Sequence, residues 1–135
     1  MSEPTKAFDE KEITLPSGIT LLLQPLSLKN LRKFMRIWSE HIDWVRTVVS
    51  GPEEGRPSEA EFADKQFDVY EKLLALGLDK ALKAYNEENE TSTKMQVFID
   101  DEVDEKSMYV ILEVTGGLKL DPDEVPNLTK SQQDQ

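Results

Sequence analysis

Few residues in this chain could carry a reaction, and those present are poorly partnered. The one histidine, His41, lies between Glu40 and Asp43. A general base needs a second group that touches and orients it, and no titratable partner is spaced to reach this ring. An enzyme using His41 with Asp43 or Glu40 stands as a third reading; within an aromatic stripe the ring is expected to pack or to lie at the surface. The acidic run "DDEVDE", Asp100 to Glu105, offers oxygen ligands for calcium. It lacks the glycine at the sixth loop position and the glutamate at the twelfth that an EF-hand requires, so a solvated helix start is expected. "TGG" at 115–117 and "GPEEGRP" at 51–57 lack the spaced glycines and the Lys-Ser/Thr pair of a phosphate loop. The chain has no cysteine, which excludes a disulfide scaffold, a thiol nucleophile and a thiolate metal site. The expectation is a protein that is not an enzyme, with no catalytic, cofactor-binding or metal residues.

A chain of 135 residues suits one domain with a core of its own. At 38% hydrophobic and 32% charged residues it is polar without being compositionally disordered. The opening "MSEPTKAFDEKE" lacks the basic-then-apolar order of a secretory signal, and no apolar run approaches a membrane span. A formal charge of -11 argues against nucleic acid, which asks for a basic face. The charge is uneven, however. Residues 28–49 hold Lys29, Arg32, Lys33, Arg36 and Arg46 against Glu40 and Asp43, a local +3 that leaves -14 for the rest. Such asymmetry bears on how surfaces attract one another.

The elements follow from the same residues. Residues 1–11 read as a flexible leader. "EITLPSGITLLLQ" reads as a hairpin turning at Pro16-Ser17-Gly18, with Leu21-Leu22-Leu23 apolar enough for both faces to be covered. Ser27 is the expected N-cap of a long helix. Along that helix Leu28, Leu31, Met35, Trp38, Ile42, Val45 and Val49 keep a 3-4 spacing, and Phe34, Ile37, His41, Trp44 and Val48 form a second line beside it. Together, at about 100° per residue, they span well over the ~100° a helix buries against one neighbour; the basic residues fall mostly on the remaining face. "SGPEEGRPS" is an exposed loop, and Ser58 with Glu61 makes a capping box. The next helix carries Phe62, Gln66, Val69, Leu73 and Leu76, with Phe67, Tyr70 and Leu74 alongside. Gly77 is expected to end or bend it before "LDKALKAYN" resumes; "EENETST" is linker. Further on, Val103, Ser107, Val110, Ile111 and Val114 mark a helix face ended by Gly116-Gly117. A strand over 108–114 is the alternative, given its β-branched residues.

Two stretches resemble the tail assembly chaperones of long-tailed bacteriophages. "ITLPSGITLLLQPLSLKNLRKF" (13–34) has a strand, a Pro/Gly turn, a second strand, then "PLS" entering a long helix. "VILEVTGGLKLDPDEVPNL" (110–128) has a helix ending in a glycine pair, then an apolar-polar-apolar step and an Asp-Pro. The resemblance implies a helix-rich protein, absent from the mature virion, that coats the tape-measure protein in the host cytoplasm, keeps it soluble and helps recruit tail-tube subunits. It also implies a second, longer form made by frameshifting, diverging near "TKSQQDQ". The second stretch departs from the compact ending of that family by extra residues after Asp121-Pro122.

The expected fold is mainly α (α+β), a small N-terminal β-hairpin followed by three to four helices in a single domain. Residues 12–126 form the domain and 127–135 a disordered polar tail. The expected function is a non-catalytic chaperone; the alternative is a structural or adaptor subunit of the virion using the same helix as a permanent interface. The partner-binding residues are expected among Leu31, Met35, Trp38, Ile42, Trp44 and Val45, since aromatic anchors on an apolar strip suit helix-in-groove recognition and methionine adapts to varied partners. Partners would be the tape-measure protein and the tail-tube protein, with self-association open, and neither nucleic acid nor membrane.

Overall fold

A computed structural model of the chain describes residues 10–120; the expectations for most of the leader, the end of the domain and the polar tail lie outside the described residues. The fold is a two-stranded hairpin followed by four helices. Strands β1 (Lys11–Thr14) and β2 (Thr20–Leu23) pair antiparallel with Ile13 opposite Leu21. The turn closes through Leu15 N–H to Ile19 O at 2.7 Å and Gly18 N–H to Leu15 O at 2.8 Å, with Gly18 at φ +98°, a conformation that costs glycine little. Lys11, placed in the leader by the sequence reading, is in the ladder opposite Leu23. Leu21 and Leu23 are buried whereas Leu22 is exposed. Only one face of β2 is covered, because strand side chains alternate and the hairpin lies on the helices by a single side.

Helix α1 (Leu28–Ser50) starts as expected at Ser27, whose side chain accepts from Asn30 N–H. Its far end is closed by a residue from the loop: Arg56 donates to the carbonyls of Val49 at 2.8 Å and Gly51 at 3.0 Å. A cation there satisfies orphan carbonyls and meets the negative end of the helix dipole. Helix α2 (Glu59–Asn89) opens with the reciprocal Ser58–Glu61 capping box. It is continuous for 31 residues, roughly 46 Å at 1.5 Å per residue, and Gly77 does not end it. That glycine is there for proximity: a Cβ would come within 2.6 Å of Thr115 Oγ1 on the last helix. The linker is correspondingly shorter than expected, and Asn86 organises it, receiving Thr91 O–H and Thr93 N–H on its side-chain oxygen.

The C-terminal stretch is two helices, α3 (Met95–Glu102) and α4 (Glu105–Gly116). Asp104 starts α4 by accepting Ser107 N–H at 3.0 Å. The acidic run therefore straddles a helix end and a helix start instead of forming one start. Residues 108–114 are helical, and the buried face is Met108, Ile111, Leu112 and Thr115; the expected Ser107, Val110 and Val114 are only half-buried beside it. Gly117, at φ +70°, closes the helix by donating to Glu113 O.

Helix α2 is the centre of the molecule. It buries Phe62, Gln66, Val69, Tyr70, Leu73, Leu74, Gly77, Leu78, Ala81 and Leu82, and it meets α1, α3, α4 and β2. Helix α1 buries only Phe34, His41 and Val45. The helix with the widest apolar arc is thus not the one the fold surrounds.

Candidate partner-binding site

At about 100° per residue, Phe34, His41 and Val45 fall within roughly 40° of one another. They mark the line along which α1 touches its neighbours. The line runs between the two apolar rows read from the sequence, so each row contributes one buried edge and one outer edge.

A seam of rings fills the α1–α2 contact. Phe62 and Trp44 lie 5.3 Å apart, Trp44 and His41 5.8 Å, His41 and Trp38 5.7 Å, Trp38 and Tyr70 6.2 Å, and Tyr70 and Phe67 6.2 Å edge-on. These separations suit offset and edge-on aromatic packing. His41 is 2% exposed. Its Nε2 lies 3.5 Å from Gln66 Oε1, and Nδ1 has no partner among the described residues. Burial holds the His41 pKa below 6.5, the Gln66 contact partly opposes that, and the Lys65 ammonium adds to it. Tyr70 is buried with its hydroxyl unpaired among the described residues. Burial, and then Tyr109 and Glu105, push its phenol up, so it stays neutral. With neither a proton-relay partner nor an open face, His41 serves packing in this arrangement.

The two sides of the seam differ. On one lie Val48, Ile37 and Trp44, roughly 40–80° from Phe34. Trp44 is half-buried between His41 and Phe62, and Lys65 Nζ stands 5.4 Å from its ring centroid, an attractive cation–π placement. On the other side lie Leu31, Val49, Ile42, Met35 and Leu28, roughly 60–120° round. Leu28 is 66% exposed and Met35 60%, Val49 is exposed, and Leu31 and Ile42 are half-buried outside the main core cluster. Phe67, 55% exposed, adds to this side. It packs on Tyr70, which faces Trp38, whereas Trp44 meets Phe62 and Lys65 across the seam.

Of the six residues expected to meet a partner, Leu31, Met35 and Ile42 share the open side, with Trp38 at its inner edge. Trp38 stacks on Tyr70 and packs against the core. Val45 is buried and has no surface to offer, and Trp44 belongs to the closed side. Both indoles are therefore engaged within the chain, and the open apolar surface is aliphatic with one phenylalanine. Phe67 was read as lying alongside the stripe of α2 with Tyr70 and Leu74; those two are buried and Phe67 is exposed, a distinction spacing alone does not make.

Beyond the open side come the cations. Arg32 and Arg36 lie roughly 160–200° from Phe34, with Lys29 and Lys33 next round. All four are exposed. Among the described residues none of them forms an ion pair; the one pair on this helix is Arg46–Asp43 at 3.8 Å, on the surface, where such pairs contribute little.

No protein-family model, curated protein or solved structure matches this chain. Function must therefore be argued from the surface. Among the described residues no cluster of three or more His, Cys, Asp or Glu is placed to hold a metal, and no helix is long and apolar enough to cross a membrane. A cleft of about 660 Å³ separates β2 from the second half of α2, lined by Leu21, Leu22, Leu26, Ala81 and Tyr85 together with Glu12, Asp79, Lys80 and Glu88. Asp79 is already paired with Lys83 at 3.2 Å.

Proposed function

We propose that this chain is a non-catalytic assembly chaperone of the long-tailed phage type, holding a helical stretch of the tape-measure protein on the open side of α1. The observation that carries the reading is the row Leu28, Leu31, Met35, Ile42 and Val49, in which Leu28, Met35 and Val49 are exposed and Leu31 and Ile42 half-buried, whereas Ile37, Trp44 and Val48 on the opposite side are all at least half-buried. An amphipathic helix recognises such a row through residues at i, i+3, i+4 and i+7. Exposed Met35 suits a client whose sequence changes along its length, because its thioether chain repacks at little cost. The net charge of -11 keeps a loaded complex soluble and discourages collapse between complexes. The resemblance of residues 13–34 and 110–128 to that family supports the same role, with recruitment of tail-tube subunits, a host-cytoplasmic site of action and absence from the finished particle.

The trial is co-expression with fragments of the tape-measure protein encoded in the same genome. A soluble complex is expected with the wild-type chain and its loss with Leu28→Asp/Met35→Asp, a double variant at exposed positions whose melting temperature should stay close to wild type. A fragment that remains insoluble and unbound overturns the proposal. Mass spectrometry of purified particles should find the chain absent; a fixed copy number there would make it a structural subunit instead.

A further inference from the structure

The basic patch on α1 is placed where it harms its own helix. Lys29, Arg32, Lys33 and Arg36 stand at i+3 and i+4 from one another, so each repels its neighbours. They also begin one residue after the helix start, where the dipole favours acids, and the first turn of α1 holds none. The chain has 27 acidic residues against 16 basic ones, yet none of the four cations has an acidic partner among the described residues. A local rule broken twice, with no ion pair among the described residues to offset it, marks a surface kept for something outside it.

From this we infer that the segment held on the open side of α1 is an amphipathic helix whose polar side is acidic, its glutamates or aspartates meeting Arg32 and Arg36 while its apolar row lies over Leu31, Met35 and Ile42. The inference rests on the client-binding reading and adds the client's chemistry. The two guanidinium groups border the apolar row directly, so a helix lying along it brings its flanking carboxylates against them. Arginine suits that contact, since its planar fork pairs with a carboxylate through two hydrogen bonds. The specificity runs against the chain's overall charge: long-range attraction favours basic ligands, and only a local contact selects acidic ones.

Two designed 21-residue helices test it, sharing one leucine row and carrying either glutamate or lysine elsewhere. Binding is followed by anisotropy of labelled peptide at 150 mM salt. The glutamate helix should bind the wild-type chain at least tenfold more tightly than the lysine helix, and Met35→Asp should abolish that binding. Arg32→Glu/Arg36→Glu should fold normally, lose the glutamate helix by tenfold or more, and gain the lysine helix. Equal binding of both peptides, no binding of the glutamate helix, or indifference to the charge reversal overturns the inference. So does a single-stranded 30-nucleotide DNA that binds through the arginines without needing Met35, which would make the patch a nucleic-acid contact. The same variants on the tape-measure fragment separate the two proposals. Binding lost in Met35→Asp but kept in the charge reversal removes the acidic client and leaves the chaperone. A fragment that never binds removes the chaperone, and the glutamate helix then decides the client chemistry alone.

Discussion

On the Trp44 side of α1 each large ring has a neighbour: His41 and Phe62 flank the indole and the Lys65 ammonium stands over it. On the Met35 side the same helix presents Leu28, Met35 and Val49 to solvent, and the nearest ring across from it, Phe67, is itself exposed. Hydrophobicity alone does not say which side is covered, since both are apolar: Ile37, Trp44 and Val48 on one, Leu28, Leu31, Met35, Ile42 and Val49 on the other. Position relative to α2 does. Helix α2 approaches along the line Phe34–His41–Val45, its Phe62 and Lys65 reach past one edge, and on the other edge its contribution ends at Tyr70. A helix with an arc wider than its neighbour can cover has one side left over, and here that side borders cations that form no ion pair among the described residues.

The largest way to break the contrast is to remove its axis. Phe34 is fully buried, and its ring fills the space where a Cβ on Gly116 would sit. It ties α1 to the end of α4. Phe34→Ala should cost about 3–5 kcal/mol in chemical denaturation and weaken both sides together. A loss under about 1 kcal/mol would mean that α1 is held by the seam alone. The next effect compares residues one turn apart. Trp38→Ala should cost about 2–3 kcal/mol, because its ring stacks on Tyr70 and packs against the core. Met35→Ala should change stability by no more than about 0.5 kcal/mol. Comparable losses at the two positions would show the open side to be covered after all.

The hairpin and the caps were legible because they depend on near neighbours. Gly18 after Pro16-Ser17, Ser58 three residues before Glu61, and Gly117 after the last apolar turn each solve a backbone problem within a few residues. The position of α2 at the centre was not legible, because periodicity measures how wide an apolar arc is and not which neighbour covers it. The same limit explains Gly77, read as a breaker although its use is the close approach of Thr115 from a helix nearly forty residues away. The break before α4 was hidden because Asp104, an N-cap, stands in a run of acids where one more carboxylate draws no notice. For the candidate site, the apolar excess on α1 and its nearby cations could be read directly. Which half of the excess is exposed could not: of the expected residues Met35 is open while Trp38 and Trp44 are engaged within the chain, and exposed Phe67 was not among them.

A pH titration sharpens the closed side alone. Burial holds the His41 pKa below its ordinary 6.5, so above pH 6.5 the ring is neutral in both the folded and unfolded chains and costs nothing. As pH falls through 6.5 the unfolded chain gains a proton that the folded chain resists, and stability declines until the folded pKa is passed. The melting temperature should therefore drop between pH 7.5 and 5.5, and His41→Gln should flatten that slope. The Asp104 carboxyl, held below 3.8 first by its hydrogen bond from Ser107, gives the opposite residue type the same direction in a lower window. Its stabilisation is present above 3.8 and lost as pH falls through the folded value. A profile flat between 7.5 and 5.5, or equally steep in His41→Gln, would place the histidine in water.

The smallest effect concerns the patch, and its sign matters more than its size. Lys29 is the second residue of α1, at the positive end of the helix dipole, with Arg32 and Lys33 within one turn. Lys29→Glu replaces two like-charge neighbours by two attractive ones and places an acid where the dipole favours it. Stability should rise by about 0.5 kcal/mol, the combined order of such surface terms, and the gain should shrink as salt is added. A stabilising change one residue into a helix is easily reached by mutation, so a sequence that keeps lysine there forgoes it. If Lys29→Glu instead destabilises the chain, the lysine has an internal acidic partner, and the cations beside the open side are part of the fold, not a surface kept for a client.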